Sequence, residues 1–172
     1  MELDGKRIAV LAENLYEDME LWYPVIRMRE AGANVTVVGT GTADTYTSKR
    51  GLPVTVEATA DKVAATDFDA VIVPGGYAPD LLRRNRSVLK LVRDVFDAGK
   101  PVAAICHAGW VLVSAGIVRG KRLTSFSSIK DDMVNAGAKF TDKEVAVDKN
   151  LITSRNPYDL PAFCAQIIKK LK

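Results

Sequence analysis

The sequence contains few of the residues that most often bind metal ions or form disulfides. Its 172 residues include only two cysteines, Cys106 and Cys164, and a single histidine, His107. A structural zinc site needs about four Cys, His or carboxylate ligands, and a catalytic zinc site needs about three. The chain cannot supply a cluster of Cys and His ligands, so no metal and no cofactor are expected. One disulfide is possible, but a reducing compartment would keep both thiols free.

Long apolar runs and dense basic stretches are missing as well. No run approaches the roughly 18 apolar residues of a membrane-spanning helix, and Met1–Lys6 lacks the basic-then-apolar pattern of a signal peptide. The net charge of +3 comes from scattered residues. The densest basic cluster, Lys169, Lys170 and Lys172, ends the last predicted helix, where cations favour the helix dipole. We therefore expect a cytoplasmic protein with no membrane partner and no nucleic-acid partner.

What remains is an ordinary globular composition, with 48% hydrophobic and 26% charged residues. The chain has no linker, repeat or low-complexity tract, which predicts a single domain over residues 1–172. The predicted strands are Arg7–Ala12, Asn34–Gly39, Ala70–Val73, Pro101–Ile105, Val145–Val147 and Leu151–Thr153, with a hairpin off the main sheet within Thr45–Val56. The predicted helices are Asp18–Ala31, Ser87–Ala98, His107–Ala115, Lys130–Ala136 and a last one that begins near Pro157.

This alternation of strands and helices predicts an α/β protein with a mostly parallel sheet and helices on both faces. The strands are apolar along their length, which fits a sheet that is buried on both sides. Open sheets of this kind bind ligands beyond the carboxyl ends of their strands. The loops after Ala12, after Val73 and after Ile105 are therefore the candidate functional loops.

The loop after Ile105 places Cys106 where a buried strand meets a helix. Its small neighbours Ala104 and Ala108 permit a sharp turn, as at the nucleophile elbow of hydrolases. A cysteine at a helix N-terminus is stabilised as thiolate, so a lowered pKa and a nucleophilic role are expected. The alternative is a small cysteine packed under the helix. Cys164 lies on the apolar stripe of the last helix and is assigned to the core.

The other two loops could complete such a site. Gly75 and Gly76 would let backbone N–H groups approach a developing oxyanion, together with the N–H of His107. One acid of the loop after Ala12 could meet the thiol, and the candidates are Glu13, Glu17, Asp18 and Glu20. His107 is the only imidazole available as a base. Trp110 lies one turn beyond Cys106 and could line either the pocket or the core.

Several separated segments resemble the PfpI family of intracellular proteases and deglycases, part of the parkinsonism-associated deglycase superfamily with a class I glutamine amidotransferase-like fold. The resemblance runs over essentially the whole chain, and the segments follow the order found in that family. They are Leu15–Leu21, Val73–Asp80, Ala104–His107, Ile129–Gly137 and Ile152–Leu160.

The resemblance implies a flavodoxin-like three-layer sandwich and a set of roles. Cys106 would be the nucleophile, His107 its base, and Glu17 the acid hydrogen-bonded to Cys106. In the family, an acid after Ala-Pro from a neighbouring subunit orients the histidine, and Asp80 occupies that position. A homodimer or a hexamer would then share its sites between chains.

The sequence departs from the family at two places near the predicted site. His107-Ala108-Gly109-Trp110 replaces the common H-G-P-Q, and Ser125–Ser128 replaces a segment that often carries Tyr. Trp110 and Phe126, from these two segments, are predicted to line the substrate pocket. Glutamine amidotransferases use a distant histidine, and no histidine follows His107, so that mechanism is excluded.

Three functions remain open at the level of sequence. The first is a cysteine hydrolase that removes carbonyl or aldehyde adducts, with glycated proteins, nucleotides or free methylglyoxal as substrates. The second is an oxidative-stress sensor or chaperone with a redox-active Cys106. The third is an intracellular cysteine peptidase, which ranks behind aldehyde chemistry because a small α/β domain offers only a shallow crevice.

Overall fold

A computed structural model describes all residues from Met1 to Lys172. The strands are β1 (Arg7–Ala12), β2 (Asn34–Gly39), β3 (Thr45–Thr47), β4 (Pro53–Thr55), β5 (Ala58–Thr59), β6 (Ala70–Val73), β7 (Val102–Ile105), β8 (Arg122–Leu123), β9 (Lys139–Phe140), β10 (Ala146–Asp148) and β11 (Leu151–Ser154). The α-helices are α1 (Asp18–Glu30), α2 (Ala78–Leu82), α3 (Arg86–Asp97), α4 (Gly109–Ser114), α5 (Lys130–Asn135) and α6 (Leu160–Leu171). Short 3-10 turns cover Ala65–Asp67, Cys106–Ala108, Ser127–Ile129 and Pro157–Asp159.

The main sheet has seven strands in the order β10-β11-β7-β6-β1-β2-β5. All neighbours are parallel except β10 and β11, which form an antiparallel pair at one edge. Strands β6 and β7 are buried at every residue, because neighbouring strands flank them and helices cover them. The structure confirms the predicted, mostly parallel sheet.

Helices pack on both faces of this sheet. From β1 the chain moves through α1 to β2 on one side, and from β6 it moves through α3 to β7 on the other side. Right-handed crossovers in opposite directions place the connecting helices on opposite faces. Accordingly, α1 packs with α6, whereas α3 packs with α4. The result is the flavodoxin-like sandwich that the resemblance implied.

The predicted hairpin forms a separate two-stranded sheet from β3 and β4. The turn between its strands approaches the start of α1, since the N–H of Lys49 donates to the carbonyl of Tyr16 at 3.0 Å. The sequence prediction did not include β5, the β8–β9 pair or α2. Each of these strands has two residues and α2 has five, which is too short to show a periodic pattern.

The core joins the two helical layers through the sheet. The stripe of α6 is buried as predicted, and Cys164 within it is 1% exposed. Both cysteines are free thiols. No helix of the structure combines the length and the apolar character needed to cross a bilayer.

Candidate active site

Cys106 lies at the carboxyl end of β7, in a backbone conformation that side chains rarely adopt. Its φ of 62° is in the left-handed region, which costs a residue with a side chain about 1–2 kcal/mol. The chain then enters the 3-10 turn Cys106–Ala108 before α4 begins. The structure confirms the predicted sharp turn, and retention of a strained cysteine at a strand end is typical of a functional position.

Glu20, and not Glu17, lies against Cys106. The Glu17 side chain caps α1, accepting hydrogen bonds from the N–H groups of Met19 at 2.8 Å and Glu20 at 3.1 Å. Its other oxygen accepts a hydrogen bond from Arg50 at 2.9 Å. Because the cap residue lies outside the first turn, its side chain folds back on the helix, whereas Glu20 faces the sheet. The structure therefore corrects the assignment of the thiol contact to Glu17.

The Glu20 side chain is 0% exposed, and its Oε2 accepts a hydrogen bond from the N–H of Gly75 at 2.9 Å. Its other oxygen is buried without a partner. Burial, reinforced by the nearby charge of Glu17, raises the pKa of Glu20 to about 8. At neutral pH the carboxyl therefore holds a proton, which it can offer to the neighbouring sulfur.

The thiol of Cys106 is buried too, and this corrects the expectation of a lowered pKa. Burial, followed by the charge of Glu20, raises the pKa of Cys106 to about 12, although the backbone N–H groups of Gly76 and His107 oppose this shift. The helix dipole contributes little, because α4 has only six residues and starts beyond a 3-10 turn. The sulfur is therefore a thiol at rest, and a nucleophilic role requires a base that removes its proton.

His107 is placed to be that base. Its Nδ1 lies 3.2 Å from the sulfur of Cys106, and its Nε2 lies 3.1 Å from the hydroxyl of Ser128. Burial, together with the positive charge of Lys49, lowers the pKa of His107 despite the opposing charge of Asp132. A neutral imidazole can accept a proton, so the geometry and the electrostatics agree.

The two glycines after β6 have different functions. The N–H of Gly75 is taken by Glu20, so Gly75 is not available as the predicted oxyanion donor. The N–H groups of Gly76 and His107 both act on the sulfur of Cys106, which places them where an oxyanion could form. Gly76 has a φ of 83°, and a Cβ there would lie 2.5 Å from the backbone nitrogen of Glu17. Only glycine allows this close approach of the two loops.

A pocket of about 470 Å³ opens above these groups. Trp110 and Phe126 line it, as predicted, and Phe126 stacks on the ring of His107 with 5.0 Å between ring centres. Its remaining lining includes two basic side chains from the β3–β4 turn, Lys49 and Arg50. This volume suits a small molecule or a single modified side chain.

Asp80 does not reach this site within its own chain, where it lies on α2 and forms an ion pair with Arg84, just beyond the end of that helix. Its approach to His107 of a second copy stays a prediction. The sequence analysis also missed Lys49, Arg50 and Ser128 as site residues. Only their position in the folded chain reveals these residues, because the sequences of the hairpin and of the segment after β8 have no feature that links them to Cys106. The structure contains no cluster of three or more side chains suited to a metal ion.

The fold and the site together define a class of α/β proteins in which a cysteine occupies the turn after a central parallel strand, with a buried acid and a histidine beside it. The chain belongs to the DJ-1/PfpI family, whose profile matches residues 6–170.

Relatives and solved structures match over nearly the whole chain. The deglycase PfpI of Pyrococcus furiosus is 42% identical over 96% of this chain and 99% of its own. The protein/nucleic acid deglycase 2 of Escherichia coli K12 is 42% identical over 97% of this chain and 98% of its own. The crystal structure of Drosophila melanogaster DJ-1beta has a TM-score of 0.91 and 33% identity, covering 96% of this chain and 90% of that one.

Proposed function

We propose that the protein is a Cys106-dependent deglycase, which removes small carbonyl adducts such as those of methylglyoxal from amines. The observation that carries the proposal is the arrangement at the strained elbow, where the base His107 contacts the sulfur of Cys106 and the buried acid Glu20 lies beside it. The names of the Pyrococcus furiosus and Escherichia coli relatives support this function. The pocket of about 470 Å³ has room for such an adduct.

The first step is nucleophilic attack. His107 Nδ1 takes the proton of the Cys106 thiol, and the sulfur bonds to the adduct carbon that carries the hydroxyl group. The carbon–nitrogen bond breaks as this bond forms, and the proton passes to the departing amine. The product is the free amine and a hemithioacetal on Cys106.

The next steps release the acid. A base removes the proton from the carbon bound to sulfur, and a proton is returned to the neighbouring carbonyl carbon. The carbonyl carbon is thereby reduced to an alcohol, and the carbon bound to sulfur becomes the carbonyl carbon of a thioester. The N–H groups of Gly76 and His107 stabilise the negative oxygen that forms. Water then adds to the thioester, the carbon–sulfur bond breaks, and lactate leaves with the thiol restored. The reaction is internally balanced and needs no external oxidant.

The test compares two cysteine variants on amine adducts of methylglyoxal. We expect Cys106→Ser to abolish release of lactate and free amine, with lactate measured by an enzyme-coupled assay. Cys164→Ala is the matched control, because its thiol is also buried but lies in the core. Full activity of Cys106→Ser would overturn the proposal. Cleavage of casein that depends on Cys106, without adduct removal, would assign a peptidase function instead.

A redox-sensor function is the second candidate, and the protonated Glu20 favours it. A sulfinate on Cys106 would be a strong hydrogen-bond acceptor, and the Glu20 carboxyl beside it holds a proton at neutral pH. Mass spectrometry after mild peroxide treatment tests this function. We expect a gain of two oxygens on Cys106. In Glu20→Ala the sulfinate should not accumulate, because Cys106 either fails to reach it or is oxidised beyond it. A sensor without enzymatic activity would show this gain and no turnover of any carbonyl substrate.

A further inference from the structure

The turn between β3 and β4 brings the ammonium group of Lys49 to the pocket. The Lys49 side chain lines the cavity of about 470 Å³ together with Cys106 and His107. Its charge acts on both Glu20 and His107, the two groups beside the sulfur. An adduct that reacts at Cys106 is therefore exposed to the positive charge of Lys49.

The backbone of this turn is fastened to the start of α1. The N–H of Lys49 donates to the carbonyl of Tyr16 at 3.0 Å. The hydroxyl of Ser48 donates to the carboxyl of Asp18 at 2.7 Å and accepts a hydrogen bond from the N–H of Arg50 at 3.1 Å. Only the flexible stem of the Lys49 side chain is therefore free to adjust to a ligand, and its exchange for another side chain leaves these contacts in place.

Lys49 is the charged group of the pocket lining that has no opposite charge beside it. Arg50 forms an ion pair with Glu17 at 2.9 Å, so these two charges offset each other. The carboxyl of Glu20 holds its proton at neutral pH, because its pKa is about 8. Lys49 takes part in none of the ion pairs of the chain. The pocket of one chain therefore carries an uncompensated positive charge.

We propose that Lys49 is a specificity-determining residue, which makes the site select adducts that carry a negatively charged group, such as a carboxylate, close to the reacting carbon. An ammonium group binds an anion as a point charge with three N–H donors, so it accepts the anion from several directions. This inference rests on the proposed function and names the class of adduct on which the protein acts.

The expected preference is modest and depends on salt. Lys49 is exposed, and an ion pair at an exposed site changes a binding constant by about fivefold at most. Added salt should weaken the preference, because it screens exposed charges. The anion that Lys49 binds is not changed by the reaction, so the preference should appear in KM and leave kcat unaltered.

The first test needs no turnover and compares iodoacetate with iodoacetamide, two reagents that differ in charge. With both, the methylene carbon bonds to the sulfur of Cys106 as iodide leaves, while Cys164 is 1% exposed and does not compete. We expect Lys49→Gln to lower the ratio of the iodoacetate rate to the iodoacetamide rate about fivefold, and Lys49→Arg to keep the ratio. A changed pKa of the thiol would alter both rates equally and leave the ratio as it was.

The second test compares methylglyoxal adducts of glycine and of glycinamide, which differ by one carboxylate. We expect Lys49→Gln to lower the ratio of kcat/KM for the glycine adduct to that for the glycinamide adduct about fivefold, through KM. Lys49→Arg should restore the ratio. Lys62→Gln is the matched control, because Lys62 is also exposed but lies outside the pocket, and both of its ratios should equal those of wild type.

The inference is supported if both ratios fall in Lys49→Gln and are kept in Lys49→Arg. An unchanged ratio with either pair would overturn it, and would mean that an acid of a second copy or solvent neutralises Lys49 in the assembled protein. An equal fall in Lys62→Gln would overturn it as well. If the wild-type protein turns over neither adduct, the proposed function fails, and the alkylation ratio alone then decides whether Lys49 selects anions.

Discussion

At the scale of single residues, the carboxyl of Glu20 couples protonation to folding. Its pKa is about 8 in the folded protein and near its ordinary value of 4.5 when the chain is unfolded. Between these values the folded chain keeps a proton that the unfolded chain has released. The free energy of unfolding therefore falls as pH rises, by at most about 1.4 kcal/mol per pH unit. This contribution to stability is complete below the unfolded value and is lost as pH rises through the folded one.

Replacing Glu20 with glutamine should remove that dependence. We expect Glu20→Gln to gain stability relative to wild type as the pH is raised from about 5 to about 8, measured by urea unfolding. Glu144→Gln is the control, because Glu144 is exposed, and it should follow wild type throughout. A constant difference between Glu20→Gln and wild type would show that Glu20 ionises normally in the folded protein.

Glu17 should matter for the helix and not for the thiol. We expect Glu17→Ala to lower the free energy of unfolding by about 1 kcal/mol, because the N-terminus of α1 loses its cap. Alkylation of Cys106 by iodoacetamide should proceed at nearly the wild-type rate. A large change in that rate, with stability unaltered, would restore Glu17 as the acid that governs the cysteine.

The sequence identified Cys106, His107 and Gly76, because each is distinctive where a strand ends. It could not separate Glu17 from Glu20, since two acids three residues apart differ only in which of them caps the helix. That choice depends on the backbone at the first turn of α1. The contact of Ser128 with His107 joins residues 21 positions apart, which no local pattern contains.

At the scale of elements, the site depends on the close approach of two loops. Gly76 has a φ of 83°, and a Cβ there would meet the loop before α1. Gly51, in the β3–β4 turn, has a similar φ of 90° but open space around it. Alanine substitutions at these two glycines therefore separate the free-energy cost of the left-handed backbone from the cost of the steric clash.

We expect Gly51→Ala to cost about 1 kcal/mol of unfolding free energy, from the left-handed backbone alone. Gly76→Ala should cost about 3 kcal/mol or more, because the clash is with backbone atoms that cannot move aside. Urea unfolding measures both. Equal losses in the two variants would mean that the loops separate without penalty.

The long elements were predictable and the short ones were not. The periodic stripe of α6 and the apolar runs of β1 and β2 carry their own signals. The two residues of β8 or β9 do not, because such strands form only where the tertiary fold brings two segments together. The segment that presents Ser128 follows β8, so its place in the site could not be read from the sequence.

At the scale of the whole molecule, the flavodoxin-like sandwich was implied by the family resemblance and is confirmed, whereas the assembly stays a prediction. In this chain Asp80 pairs with Arg84 and lies outside the site of its own protomer. The resemblance predicts that Asp80 of a second copy orients His107, so that a single chain would hold an incomplete site.

Activity measurements on single and mixed variants test this prediction. We expect Asp80→Asn to lose most of its activity, and we expect dilution that separates the subunits to lower the activity per chain. The matching experiment mixes Asp80→Asn with Cys106→Ala, with the assembly state followed by sedimentation. Recovery of activity on mixing two weak variants would show a site shared between subunits.

The hairpin β3–β4 has a separate consequence for how new specificities could arise. It stands apart from the main sheet, yet its turn brings Lys49 and Arg50 to the pocket. Insertions or exchanges in this turn would alter the charge that an incoming adduct meets, while the strands that support Cys106 stay intact. Divergence of substrate preference could therefore proceed through one peripheral turn, at little cost to the chemistry beneath it.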